Sequence, residues 1–278
     1  MTNLSLHAMP QPFFLDASPG RRFCLYYPPV GICRGSVLYV PPYAEEMNRS
    51  RRTVSLQALD LARSGYAVLL IDLFGCGDSD GDFADARWQI WLKDLAAAVT
   101  WLKKTVFAPV SLWGLRLGVP LMMDYARTSG ETFQRFILWQ PVLSGQQYLT
   151  QFLRLRLASE MLSGGVTQAN VKDLRQELAA GTILEVAGYR IAPELAASVD
   201  DINLSALAGA GGAYHWFEVA QPDKPFSPAS TKVMTAWIDR GAHVSTHQIA
   251  GEMFWQSPEI TVCQDLIDAT TGLLTHGI

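Results

Sequence analysis

The residues best placed to do chemistry surround Arg116. The stretch Pro109-Val110-Ser111-Leu112-Trp113-Gly114-Leu115-Arg116-Leu117-Gly118 is apolar up to Gly114, turns, and continues after Gly118 as helix-compatible sequence to Tyr125. A strand that turns sharply into a helix between two glycines forms an elbow. Written G-x-S-x-G, with serine at its centre, that elbow presents a nucleophile for acyl transfer. Small residues flank the centre because neighbouring side chains would collide with the strand and the departing helix. Here the central residue is Arg116. A guanidinium stays protonated and offers only donors, so it does not attack a carbonyl. The expected elbow therefore lacks its usual chemistry.

The partners of a serine nucleophile would be an acid after a strand at 214–219 and a histidine after a strand at 244–249. Asp223 fills the acid position. The second loop, Gly251-Glu252-Met253-Phe254-Trp255, holds no histidine. His247 falls within the strand, His243 precedes it, His215 begins another, and His7 and His276 lie near the termini. All five read as surface or satisfied structural histidines, so the Ser-His-Asp arrangement is absent. Cys76 lies in a glycine turn, but Asp78 and Asp80 beside it favour the thiol over the thiolate. It reads as structural, and Ser79 as part of the same turn.

Glu45 and Glu46 follow the strand whose loop would supply oxyanion donors, where a carboxylate repels a developing oxyanion. Their plainer role is as first-turn acids of a helix, with Arg49, Arg51 and Arg52 on its solvated face. Arg116 is harder to explain away. A cation in the first turn of a helix is disfavoured by roughly 0.3–1 kcal/mol, and burial adds to that cost. An anion must offset it: Glu45, Glu46 or Asp223 from within, or an anionic ligand from outside. The expected ligand-binding set is Arg116, Glu45, Glu46 and Gln140, with Trp139, Phe254 and Trp255 as an apolar wall.

The elements that would position these residues follow from periodicity. Strands are expected at 22–27, 35–40, 66–71, 110–114, 133–139, 214–219 and 244–249. Helices are expected at about 50–63, 85–104, 119–125, 227–240 and 260–274. Residues 1–20 read as a loose, proline-marked lead-in. Strict strand–helix alternation up to Pro141 argues for a mostly parallel sheet covered on both faces. It breaks over 142–207, where helical sequence (146–162, 167–179, 193–198) surrounds one strand-like piece at 183–191. The expected organisation is a core of 1–141 plus 208–278 with a cap insertion at 142–207.

Composition narrows the function classes. The 278 residues are 49% hydrophobic with a net charge of −4, which argues against nucleic-acid binding, since that needs a concentrated basic face. The longest apolar run, around 66–74, is too short to span a bilayer. The N-terminus lacks the pattern of a secretory signal. The four cysteines are scattered, which favours reduced thiols and a cytoplasmic location. Neither a metal nor another cofactor is expected, because no histidines and carboxylates cluster at ligand spacing.

The order of elements, the elbow and the turn Asp72-x-x-Gly75-x-Gly77-x-Ser79 resemble the α/β-hydrolase superfamily over nearly the whole chain. A closer resemblance is to the bacterial family called exosortase-A-system-associated hydrolase 2. It is carried by residues 41–52, Gly75-Cys76-Gly77-Asp78-Ser79, Trp113 to Gly118, Leu138-Trp139-Gln140-Pro141 and Phe152-Leu153-Arg154-Leu155-Arg156. The resemblance implies that arginine at the elbow is a family trait. It also implies an exopolysaccharide and protein-sorting context, with a possible partner protein of the exosortase system. Two functions stay open. One is a hydrolase or acyl-transfer enzyme of non-standard mechanism. The other is a catalytically silent relative that binds an anionic carbohydrate- or acyl-derived ligand, or a partner protein.

Overall fold

The computed structural model describes residues 9–162, 170–207, 212–221 and 224–276. Eight strands form one sheet. In chain order they are β1 (Gln11–Asp16), β2 (Arg21–Tyr27), β3 (Gly35–Val40), β4 (Tyr66–Ile71), β5 (Val110–Leu115), β6 (Arg135–Trp139), β9 (Ala213–Ala220) and β10 (His243–Ala250). Their order across the sheet is β1-β2-β4-β3-β5-β6-β9-β10. The β1–β2 and β2–β4 pairs are antiparallel and all the others parallel. The central strands β3 and β5 are buried along their whole length, as their unbroken apolar runs require of a sheet covered on both faces.

Two cores lie on the two faces. Helices α1 (Ala44–Arg63) and α8 (Gln264–His276) pack around Trp113, Trp139 and Phe217 on one face. Helices α2 (Trp88–Thr105), α3 (Gly118–Ser129) and α7 (Pro228–Ile238) cover the other, around Leu38, Leu112, Leu138 and Trp216. A fully buried ion pair ties β2 to α2: Arg22 Nε lies 2.7 Å from Asp94 Oδ1, and Asp94 also accepts from Phe74 N.

The described residues of 142–207 add no strand to this sheet. They form α4 (Gly145–Leu162), α5 (Val171–Ala179), the hairpin β7 (Leu184–Val186) and β8 (Tyr189–Ile191), α6 (Pro193–Asp200) and a 3₁₀ turn at Leu204–Leu207. Gly145 lets α4 start against α6, since a Cβ there would lie 1.6 Å from Val199 O.

Three sequence expectations change. Part of the expected lead-in is strand β1, because pairing to β2 supplies the order that its own half-exposed, proline-containing sequence conceals. The single strand-like piece at 183–191 is a hairpin, turned by Ala187 and Gly188, both at positive φ. Helix α1 begins at Ala44, not near Ser50. Its start is fixed by the chain leaving Pro41-Pro42, with Glu45 and Glu46 favoured in its first turn.

Candidate functional site

The elbow is built as its glycines require. Arg116 adopts φ +54°, a left-handed conformation that non-glycine residues rarely hold. A Cβ on Gly118 would lie 2.0 Å from Val40 O, and one on Gly114 would lie 2.8 Å from Val119 N. Both clashes are with backbone, so only glycine lets β5, β3 and α3 approach this closely. Hydrogen bonds hold the turn: Arg116 N donates to Trp139 O, and Arg116 O accepts from Val119 N and Val142 N.

The Arg116 side chain leads to one of the two candidate glutamates. Its Nε donates to Glu46 Oε1 at 3.0 Å, and its Nη1 reaches Gln140 O at 3.5 Å. The other oxygen of Glu46 accepts from the Tyr148 hydroxyl at 2.9 Å. The guanidinium carbon is 5.7 Å from the Tyr148 ring centroid and 5.9 Å from that of Trp255, within cation–π range. With the two side chains only 12% and 17% exposed, Glu46 meets the charge that burial and the α3 dipole would otherwise penalise.

Glu45 belongs to a second pair. It accepts from the Tyr189 hydroxyl at 3.0 Å and lies 3.6 Å from Arg49 Nε. Tyr189 also accepts from Asn48, and Arg49 Nη1 donates to Gln256 O. Arg51 pairs with Asp72 at 2.9 Å, so of the three arginines expected on a solvated face, two are engaged. Neither Tyr148 nor Tyr189 stands out in the sequence. Both come from the 142–207 block, whose position over α1 has no local sequence signal.

A cleft of about 630 Å³ adjoins these pairs. One wall is the α4 face carrying Tyr148, Phe152, Leu155 and Ala158. Opposite it lie Tyr43 to Glu46 and Arg49 of α1, with Trp255 and Gln256. Arg116 is not itself a lining residue, whereas its neighbours Glu46, Tyr148 and Trp255 are.

Of the remaining expected residues, those described fall outside the cleft. Gln140, at φ +43°, spends its side-chain oxygen on Val219 N and its backbone N–H on Phe217 O, tying β6 to β9. Phe254 and Trp139 are fully buried, with ring centroids 6.2 Å apart, and Trp139 Nε1 donates to Thr270. Asp223 lies outside the described residues, as do His7 and the His276 side chain.

No other described group completes a catalytic set. His247 stacks on Phe217 within the sheet, 6.0 Å from the His215 ring. His215, expected to be satisfied or exposed, is instead buried with neither ring nitrogen partnered, and burial pushes its pKa down to about 4. The Cys76 thiol is pushed far up, first by burial and then by Asp72 and Asp94, which makes it a poor nucleophile. Ser79 Oγ donates to Asp72 O and accepts from Phe23 N, a purely structural use. Among the described residues no group of three or more histidine, cysteine or acidic side chains could hold a metal ion, and no helix is long and apolar enough to cross a membrane.

The fold has many solved counterparts. Est1E from Butyrivibrio proteoclasticus, with ferulic acid bound, superposes with a TM-score of 0.69 at 14% identity, covering 95% of this chain and 96% of that one. A thermostable carboxyl esterase from Bacillus coagulans in complex with glycerol gives 0.65 at 14% identity, with 96% and 97% covered. An α/β serine hydrolase homologue from Coxiella burnetii gives 0.57 at 13%, with 100% and 98% covered. At these identities the likeness concerns the fold. A comparison with curated proteins finds no match. The sequence itself matches the family described as serine aminopeptidase, S33, over residues 32–187. Since that match takes in more than half of the chain, the chain belongs to the serine aminopeptidase S33 family, within the α/β-hydrolase superfamily.

Proposed function

We propose that this chain is a ligand-binding member of its family that has given up serine chemistry. The observation that carries this reading is the Arg116–Glu46 pair at the elbow. A cation occupies the position of the attacking hydroxyl, and a carboxylate in the first turn of α1 stands just after the strand whose loop would stabilise an oxyanion. The cleft beside the pair lies in the size range of small-molecule sites. Segment 142–207 acts as its cap, because α4 and the β7–β8 turn supply part of the lining. The sequence blocks that resemble the exosortase-A-system-associated hydrolase 2 family support a cytoplasmic role in exopolysaccharide production or protein sorting, with a partner protein of that system. Family membership favours a second reading, hydrolysis by a non-standard mechanism.

One assay separates the two. Purified protein is treated with a fluorophosphonate and tested on generic esters and thioesters. The expected result is no labelling and no turnover above background, because no hydroxyl stands at the elbow and no described histidine is placed to activate one. Stoichiometric labelling of a cleft serine, or turnover abolished by Arg116→Ala, would establish hydrolysis instead.

A further inference from the structure

The cleft wall formed by α1, taken with Arg116 behind it, is balanced in charge. Arg116 is paired with Glu46, and Arg49 lies beside Glu45 and is held by Gln256 O. Neither pair uses up its hydrogen-bonding capacity. Each glutamate oxygen has one of these partners and a second lone pair to offer, and Arg116 Nη2 has no partner among the described residues. The cleft also borders two buried polar groups without partners there, the Tyr43 hydroxyl and the Trp255 indole N–H. The α4 wall opposite is mainly aromatic and aliphatic, through Tyr148, Phe152, Leu155 and Ala158, with Gln151 and Ser159 beside them.

This arrangement discriminates among ligand classes. An anion would have to take Arg116 from Glu46 while facing Glu45 as well. A cation would meet Arg49 and Arg116. A purely apolar chain would leave the polar wall unanswered. A hydroxyl is both donor and acceptor, so neighbouring hydroxyls can give to a carboxylate and accept from its guanidinium without parting the pair. A ring with one apolar face and hydroxyls at its edge matches both walls. Building on the ligand-binding reading, we infer that the cleft receives a neutral, hydroxyl-rich ligand, the uncharged sugar end of a glycan, between the ion pairs of α1 and the apolar face of α4. This replaces the anionic ligand that Arg116 alone leads one to expect.

The test is calorimetric titration with the methyl glycosides of glucose, galactose and mannose, and with methyl glucuronide as the charged counterpart, at low and high salt. At least one neutral glycoside binds saturably and without salt dependence, and the uronide binds about tenfold or more weakly than its neutral counterpart. Leu155→Trp, at a half-exposed position of the apolar wall, fills the cleft and abolishes binding with an unchanged melting temperature. Glu45→Gln weakens neutral binding severalfold. Tighter binding of the uronide, binding that falls steeply with salt, no binding by any neutral glycoside, or unaltered binding in Leu155→Trp would each overturn the inference. Ester turnover bears on the non-hydrolytic reading alone: an inert protein that binds no glycoside refutes only the sugar assignment.

Discussion

At the scale of the residue, Arg116 matters because its charge has a designated partner. A partly buried guanidinium and carboxylate cost desolvation energy that only their mutual contact offsets, so removing either leaves the other exposed to the full penalty. Arg116→Ala is expected to destabilise the fold by about 1–3 kcal/mol, the usual cost of leaving a buried polar group unpaired. Glu46→Ala should cost a similar amount, because it strands both Arg116 and the Tyr148 hydroxyl. The double variant should cost clearly less than the sum of the two, which denaturant unfolding of all four proteins measures. Additive losses would mean that the pair is a surface contact without energetic coupling.

At the scale of the element, the elbow keeps its shape with arginine at its centre because the same glycines let three elements meet. Gly118 packs its backbone onto Val40 at the end of β3, and Gly114 packs against the first turn of α3. Neither contact involves the side chain at 116, so an arginine there meets the same packing requirement as any other residue. Gly118→Ala is expected to cost on the order of 4 kcal/mol or more, the range reserved for specific steric defects. The added methyl would press on a carbonyl that belongs to the central sheet and has little room to yield. Gly130→Ala is the matched control: it lies in the turn that ends α3, and nothing stands within 4 Å of the place a methyl would take. Its positive φ of 69° makes it costly by a smaller, purely conformational amount. Equal melting temperatures for the two variants would show that the close approach at Gly118 is not needed.

At the scale of the whole molecule, stability should depend on pH through two histidines at the β9–β10 edge, the buried His215 and the half-buried His247. Burial lowers the pKa of both, His215 to about 4 and His247 in the same direction. The folded state therefore refuses protons that the unfolded chain accepts below its ordinary value of 6.5. Stability is complete above that value and falls as the pH drops from 6.5 towards about 4. For His215 the full loss is on the order of 3 kcal/mol. His215→Phe keeps the ring volume and removes the titration, so its unfolding free energy should change less between neutral and mildly acidic pH. An identical pH slope in the variant would assign acid sensitivity to the carboxylates alone.

By itself, the sequence determined the parts that local sterics and periodicity encode. The buried strands announce themselves as apolar runs, and the elbow through the spacing of Gly114 and Gly118. The residue types at the elbow are legible too: Arg116 stands between those glycines, and the loop Gly251 to Trp255 contains no histidine. Tertiary structure decided what depends on distant segments meeting. Arg116 finds Glu46 across 70 residues, Glu46 finds Tyr148 across 102, and Glu45 finds Tyr189 across 144. The sequence offers Glu45 and Glu46 side by side as equivalent partners. They separate only because successive residues on a helix point about 100° apart, which turns Glu46 towards the elbow and Glu45 towards the hairpin of segment 142–207. Strand β1 was hidden for a related reason: its order comes from the backbone of β2, and its half-exposed side chains carry no pattern of their own. The neutrality of the cleft is likewise a tertiary property, since it arises from pairing two arginines with two glutamates that the sequence shows only as separate charges.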